Sequence, residues 1–299
     1  MKRHAAFTML ELIFVIIIMG IIGKFGVEFV AQAYKSFIFA NVNNELQSNS
    51  ETAVEIIASR LQYRIKDSVI ARKSTGDTPV AIADASGSTF TVLEWIGYHD
   101  EGFRGSSENN ATPYLPDWSG IIDLNGGDKD KLISPATDTT KIDTMISKLS
   151  SGGSSLSNAA LYFLGANSNI QTDYGWNGEI LNQQGAMHPI KAGANSNEFA
   201  PRKTDFSGID IYEYYQLAWT AYAIVYEAGT NNKGVLRLYY DYQPWDGDKL
   251  SDATTKNTVI MENVSTFQFM SIGSIMKIQV CTKSDLVEEY SLCKEKTIF

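Results

Sequence analysis

Cysteine is nearly absent from these 299 residues: there are two, Cys281 and Cys293. That excludes a disulfide-scaffolded mini-domain and a four-thiolate zinc site. Histidine is as scarce, with only His4, His99 and His188, and no nucleophile motif surrounds any of them. No G-x-S-x-G, H-E-x-x-H, P-loop or dinucleotide-binding glycine pattern occurs, so no catalytic constellation is visible. Internal repeats are missing too. Basic residues are in deficit, 25 Lys and Arg against 34 Asp and Glu for a net charge of −9. An acidic surface repels phosphate backbones, which disfavours nucleic acid as a partner. Apolar residues at 44% and charged residues at 20% are ordinary globular proportions. There is only one long apolar run, so a polytopic membrane protein is excluded.

That run carries most of the information. Residues 1–6 are short and basic, with Lys2 and Arg3, and end in Ala5-Ala6. Phe7-Thr8-Met9-Leu10-Glu11 follows, then unbroken apolar sequence over 12–22. As a helix, 7–23 spans about 26 Å at ~1.5 Å per residue, close to the ~30 Å hydrocarbon core of a bilayer. Extension through Phe25, Val27, Phe29 and Val30 completes a span, with Lys24 and Glu28 near its outer end. Lys2 and Arg3 favour a cytoplasmic start. Three readings fit a stretch of this kind. A cleaved secretory signal would use Ala31-Gln32-Ala33, but Lys24 and Glu28 lie between the apolar run and that site. A plain membrane anchor explains the hydrophobicity and leaves Glu11 unexplained. A carboxylate in lipid costs about 2.5–3.5 kcal/mol at the helix centre and by default marks function.

The third reading accounts for Glu11. The stretch resembles the amino-terminal signal of type IV prepilins and type II secretion pseudopilins, on Ala6, Phe7, Thr8, Met9, Leu10 and Glu11. It departs from that family at Ala6, where glycine is usual, and in having no proline in mid-helix. The resemblance implies cleavage between Ala6 and Phe7 by a prepilin peptidase and methylation of the Phe7 amino group. It also implies that the Glu11 carboxylate pairs with a neighbouring subunit's freed α-amino group. The implied partners are other pilin or pseudopilin subunits, the peptidase and an inner-membrane assembly platform. The implied place is the bacterial inner membrane, single-pass, with the globular part in the periplasm. The match covers only about the first thirty residues. A domain this large after the helix suggests a minor subunit, and Glu11 argues against the largest tip subunit, which usually lacks that acid. Two alternatives stand beside it: a pilus subunit for DNA uptake or adhesion, and a membrane-tethered periplasmic binding module or enzyme.

The expected architecture is α+β, a long amino-terminal helix packed on an antiparallel sheet with long loops. Its parts are a leader at 1–6, a membrane-spanning helix at 7–34, an amphipathic continuation at 35–73 and a β-rich globular domain at 74–299. The continuation rests on Val42, Leu46, Ala53, Ile57, Leu61, Ile65 and Val69 at three- or four-residue steps. Segments 90–98 and 160–164 read as strands, 142–149 as a short helix, and 99–135 and 166–209 as loop-rich surface around short strands. Segments 219–228 and 235–242 form a hairpin about Gly229 and Gly234. Further strands fall around Val264–Phe269, 276–280 and 292–298.

Cys281 and Cys293 lie a short loop apart and can pair in an oxidising compartment, with two free thiols or a metal as alternatives. Asp123, Asn125, Asp128 and Asp130 supply hard oxygens for calcium, although the spacing is not that of an EF-hand. Asp246 and Asp248 form a weaker candidate of the same kind. An Asx-rich turn without metal is the simpler reading of both. Tyr212, Tyr214, Tyr215, Trp219, Tyr222 and Tyr226 suggest strand-face packing, or else a sugar or adhesion surface.

Overall fold

A computed structural model describes residues 8–299 except 86, 88, 106–114, 231–232 and 285–289. The leader and the Ala6–Phe7 junction therefore lie outside the described residues. Helix α1 runs unbroken over Met9–Leu61. Thr8 starts it as N-cap, and Gln62 closes it. Its second half buries Val42, Leu46, Ser50, Ala53, Val54, Ile57, Ala58 and Leu61. These recur at three- and four-residue steps, as one stripe of an α-helix must. Ser50 bridges the polar interruption by donating its hydroxyl to Leu46 O at 2.7 Å.

The helix stops twelve residues short of the expected 73. Ile65 and Val69 are buried but not helical. The chain turns at 62–63 and joins the sheet instead. Ile65 N–H donates to Ile96 O at 2.9 Å and Tyr98 N–H to Tyr63 O at 2.9 Å. Arg64 fixes this exit: its guanidinium donates to Leu61 O at 2.8 Å and to Ser274 O at 2.6 Å. One side chain thus caps the last helical turn and holds a distant hairpin tip.

The strands are β1 Ile70–Arg72, β2 Val80–Ala81, β3 Val92–Tyr98, β4 Asp123–Asp128, β5 Lys131–Ile133, β6 Ala160–Phe163, β7 Met187–Ala192 and β8 Glu198–Pro201. They continue with β9 Tyr215–Glu227, β10 Gly234–Tyr240, β11 Lys256–Ile272, β12 Ile275–Lys283 and β13 Ser291–Ile298. All pairings given for them are antiparallel, in the order β13-β12-β11-β10-β9-β6-β7-β8-β5-β4. β3 also pairs with β9, and β1 joins β3 to β2. The long β9 is the hub, pairing with β3, β6 and β10. Gly273, at φ +60°, makes the two-residue turn of the β11–β12 hairpin, where glycine relieves the left-handed strain. Helices α2 (Asp100–Arg104) and α3 (Thr139–Leu149) complete the fold.

Three apolar clusters hold it. The first lies between α1 and the sheet, joining Ile57 and Leu61 to Leu93, Trp95, Leu236, Phe267, Ile278 and Ile298. The second lies on the opposite face, where Val92, Ile96, Ala221 and Val225 meet Tyr174, Trp176 and Trp245. Alternation along β3 and β9 sends side chains to the two cores in turn. The third joins Ile142 and Ile146 of α3 to Leu132, Phe163, Phe199, Tyr215 and Trp219. The segments 99–135 and 166–209, expected as surface loops, thus furnish much of two cores.

Candidate functional site

The first half of α1 projects without covering. Every residue from Thr8 to Phe37 is exposed, and Val42 is the first buried one. At ~1.5 Å per residue the free portion is about 50 Å long. Its exposed side chains include Phe14, Ile16, Ile22 and Phe29, the last at 74%. Monomeric soluble proteins rarely leave such a surface in water. By length and composition this helix can cross a membrane. Beyond a ~30 Å slab, Tyr34 stands where an interfacial aromatic belt would lie. Gly20, Gly23 and Gly26 have open space around their Cα atoms. Lys24 and Glu28 form a loose pair at 3.9 Å.

Glu11 sits in the first turn, and its carboxylate accepts the Thr8 backbone N–H at 3.0 Å and the Thr8 hydroxyl at 3.0 Å. In return Glu11 N–H donates to Thr8 Oγ1 at 3.4 Å. This is a reciprocal capping box. Reading the sequence for charge alone missed it, although Thr8-x-x-Glu11 carries the signal. The carboxylate keeps free lone pairs for a further partner. Ala6 and Phe7, the expected cleavage and methylation residues, fall outside the described residues.

Cys281 and Cys293 are brought together. They face each other across β12 and β13 and form a disulfide. The pair thus ties β13, outermost among the described strands, to its neighbour β12.

The proposed calcium ligands are spread along a β4–β5 hairpin rather than drawn into a ring. Asp123 accepts Asn125 N–H at 3.0 Å, and Asp128 accepts Asp130 N–H at 2.8 Å and Lys131 N–H at 3.0 Å. Both carboxylates therefore cap their own turns. Asp246 pairs with Arg202 and, at 3.5 Å, with Lys203. Asp248 accepts Gln243 N–H at 3.0 Å. Among the described residues no three His, Cys, Asp or Glu converge as metal ligands.

The aromatic group of 212–226 does not form one patch. Tyr215 and Trp219 are buried in the third core, while Tyr222 and Tyr226 pack half-buried against the first. Tyr214 is exposed.

An unforeseen buried ion pair lies on the sheet face away from α1. Arg72 Nε donates to Glu94 Oε2 at 2.8 Å, and Tyr242 donates its hydroxyl to Glu94 Oε1 at 2.8 Å. Arg72 also donates to Asp77 O and Trp176 O. Burial and the Glu94 charge raise the Tyr242 phenol well above its ordinary range. The cluster fixes the 170s segment to the sheet; it lies in the packed core.

Comparison of the chain with protein-family models, curated proteins and solved structures gives no match.

Proposed function

We propose that this chain is a minor subunit of a filament of the type II secretion pseudopilus or type IV pilus kind. Residues 1–6 are its leader, removed by a prepilin peptidase, and Phe7 is its methylated first residue. Helix 7–34 holds it in the bacterial inner membrane and later packs among the helices of other subunits. The domain from 74 onward lies in the periplasm. The reading assigns no catalytic residue.

The observation that carries it is the form of α1. One continuous 53-residue helix is naked and apolar in its first half apart from Glu11, Lys24, Glu28, Gln32 and Lys35, and sheet-packed in its second. A signal peptide needs no rigid continuation into a folded core. A simple anchor needs no carboxylate in its first turn. In an apolar bundle, an acid and a freed α-amino group relieve each other's desolvation and fix the axial register of neighbours.

Processing tests the reading directly. The full chain is co-expressed with a prepilin peptidase and an assembly platform, and its amino-terminal mass is determined. The expected species begins at methylated Phe7. A chain that still begins at Met1, or begins after Ala33, rejects the proposal.

A further inference from the structure

A cavity of about 190 Å³ opens between the start of β7, the 166–186 segment and the residues just before β9. His188 lines it while only 5% exposed. Its Nδ1 lies 3.0 Å from Gln183 O. A carbonyl only accepts, so the proton sits on Nδ1. Burial holds the imidazole pKa down to about 4, so the ring is neutral near pH 7. Its Nε2 therefore presents a lone pair, and among the described residues no hydrogen bond is made to it. The Phe163 ring, 5.0 Å from the imidazole centroid to centroid, fixes the orientation. This acceptor stays open to a donor that enters the cavity.

The walls narrow the choice. Asp173 and Asp210 add acceptors, Asn167 and Gln184 add amides that both donate and accept, and Tyr212 adds a ring. Among the described residues no lysine or arginine lines the cavity, so an anion finds no countercharge there. A metal is disfavoured, since no ligand trio converges among the described residues. Gln184 Nε2 already donates to Ser207 O at 3.4 Å, so an ammonium group would satisfy the carboxylates and leave the Asn167 amide donor unmatched. Neighbouring hydroxyls, which donate and accept together, match both. The volume is below that of drug-sized pockets, about 300–1,000 Å³, and suits one ring.

We propose that this cavity binds a single hydroxyl-rich sugar ring, one hydroxyl donating to His188 Nε2 and others to Asp173 and Asp210. The site is independent of the filament reading, because it uses no part of α1.

The test is titration of the full chain, in lipid nanodiscs without sugar detergents, followed by the histidine ¹⁵N signals. Only three histidines need assignment. Glucose, galactose and N-acetylglucosamine are the probes, each to ~50 mM, with n-propylammonium chloride as the cationic control. At least one sugar is expected to shift the His188 Nε2 signal saturably. Asp210 is exposed, so Asp210→Ala keeps the fold and should weaken that binding about tenfold. Three results would each overturn the proposal: no sugar moves the signal, Asp210→Ala binds as well as the parent, or the ammonium probe binds in preference.

Discussion

Glu11→Gln separates the capping that the Glu11 carboxylate provides from the charge pairing proposed for it. Glutamine at the third helical position still accepts from the N-cap, so the capping box with Thr8 survives. Only the charge is lost. Glu11 lies 31 residues before Val42, about 46 Å along the helix, so the folded domain should not register the change. Its unfolding midpoint is expected within ~0.5 kcal/mol of the parent. Insertion of a lone subunit should also change little, because Glu11 stands about 3 Å beyond the helix start and can reach the interface. The loss should come on assembly. Removing one member of a buried ion pair costs about 3–5 kcal/mol, so subunit association should weaken by about two to four orders of magnitude. Cross-linked multimers and sheared filament fractions measure this in cells carrying the peptidase and platform. Thr8→Ala is the counterpart: it forfeits about 1 kcal/mol of capping and keeps the charge, so it should still assemble. Parental incorporation of Glu11→Gln would refute the charge-pairing argument.

Three further outcomes are expected. Replacing Cys281 and Cys293 together by serine should cost about 3 kcal/mol in the chain-entropy treatment of a loop this short, read as a lower urea midpoint; an unchanged midpoint would show that β13 is held without the bond. His188 titrates near 6.5 when unfolded and about 4 when folded, so the unfolded chain binds the extra proton and stability falls as pH drops from about 6.5 to 4. The total is about 3 kcal/mol, and a His188→Gln variant should lack that part of the slope; identical pH profiles would exclude it. Glu94→Ala strands the Arg72 guanidinium in the core and should cost about 3–5 kcal/mol, whereas a double-mutant cycle with Arg72→Met should show about 1–3 kcal/mol of coupling. Additive losses would mean the two charges act separately.

The helix and the carboxyl-terminal strands were legible because their patterns are local. Met276, Ile278 and Val280 alternate with Lys277 and Gln279, and the fold places them in β12. Gly229 and Gly234 flank a β9–β10 hairpin as read. The helix end was misplaced for a physical reason. Leu61, Ile65 and Val69 continue a four-residue step, and all three are buried, yet β3 supplies the backbone partners that a longer helix would have used. Periodicity reports burial, and here tertiary pairing overrode its helical interpretation. The 99–209 stretch was opaque because its strands are three to six residues long and its core residues arrive singly, as Trp118, Leu132, Phe199 and Phe206 do. The His188 cavity draws on three separated segments, so no single window of sequence could show it. The capping box could have been read, since Thr8 and Glu11 stand at the required spacing.

A subunit held by its helix must pass any pull on that helix to the domain, and the fold concentrates its fastenings where α1 meets the sheet edge. Lys294 and Lys296 of β13 pair with Glu51 and Glu55 of α1. Tyr290 donates to Asn43 Oδ1 at 2.7 Å and stacks edge-on against Phe39, just where the helix leaves the domain. Exposed ion pairs are each worth only about 0–1 kcal/mol, so they cannot alone resist shear. The strand they grip is an outermost one, with a single ladder behind it, and such strands are the first to peel. The disulfide crosses that one ladder, and Arg64 pins the β11–β12 tip to the helix exit. Load along α1 therefore reaches β13 through these surface pairs, β12 through the disulfide behind them, and the β11–β12 tip through Arg64. On the filament reading proposed above, this arrangement would carry a pull on the helix into the sheet.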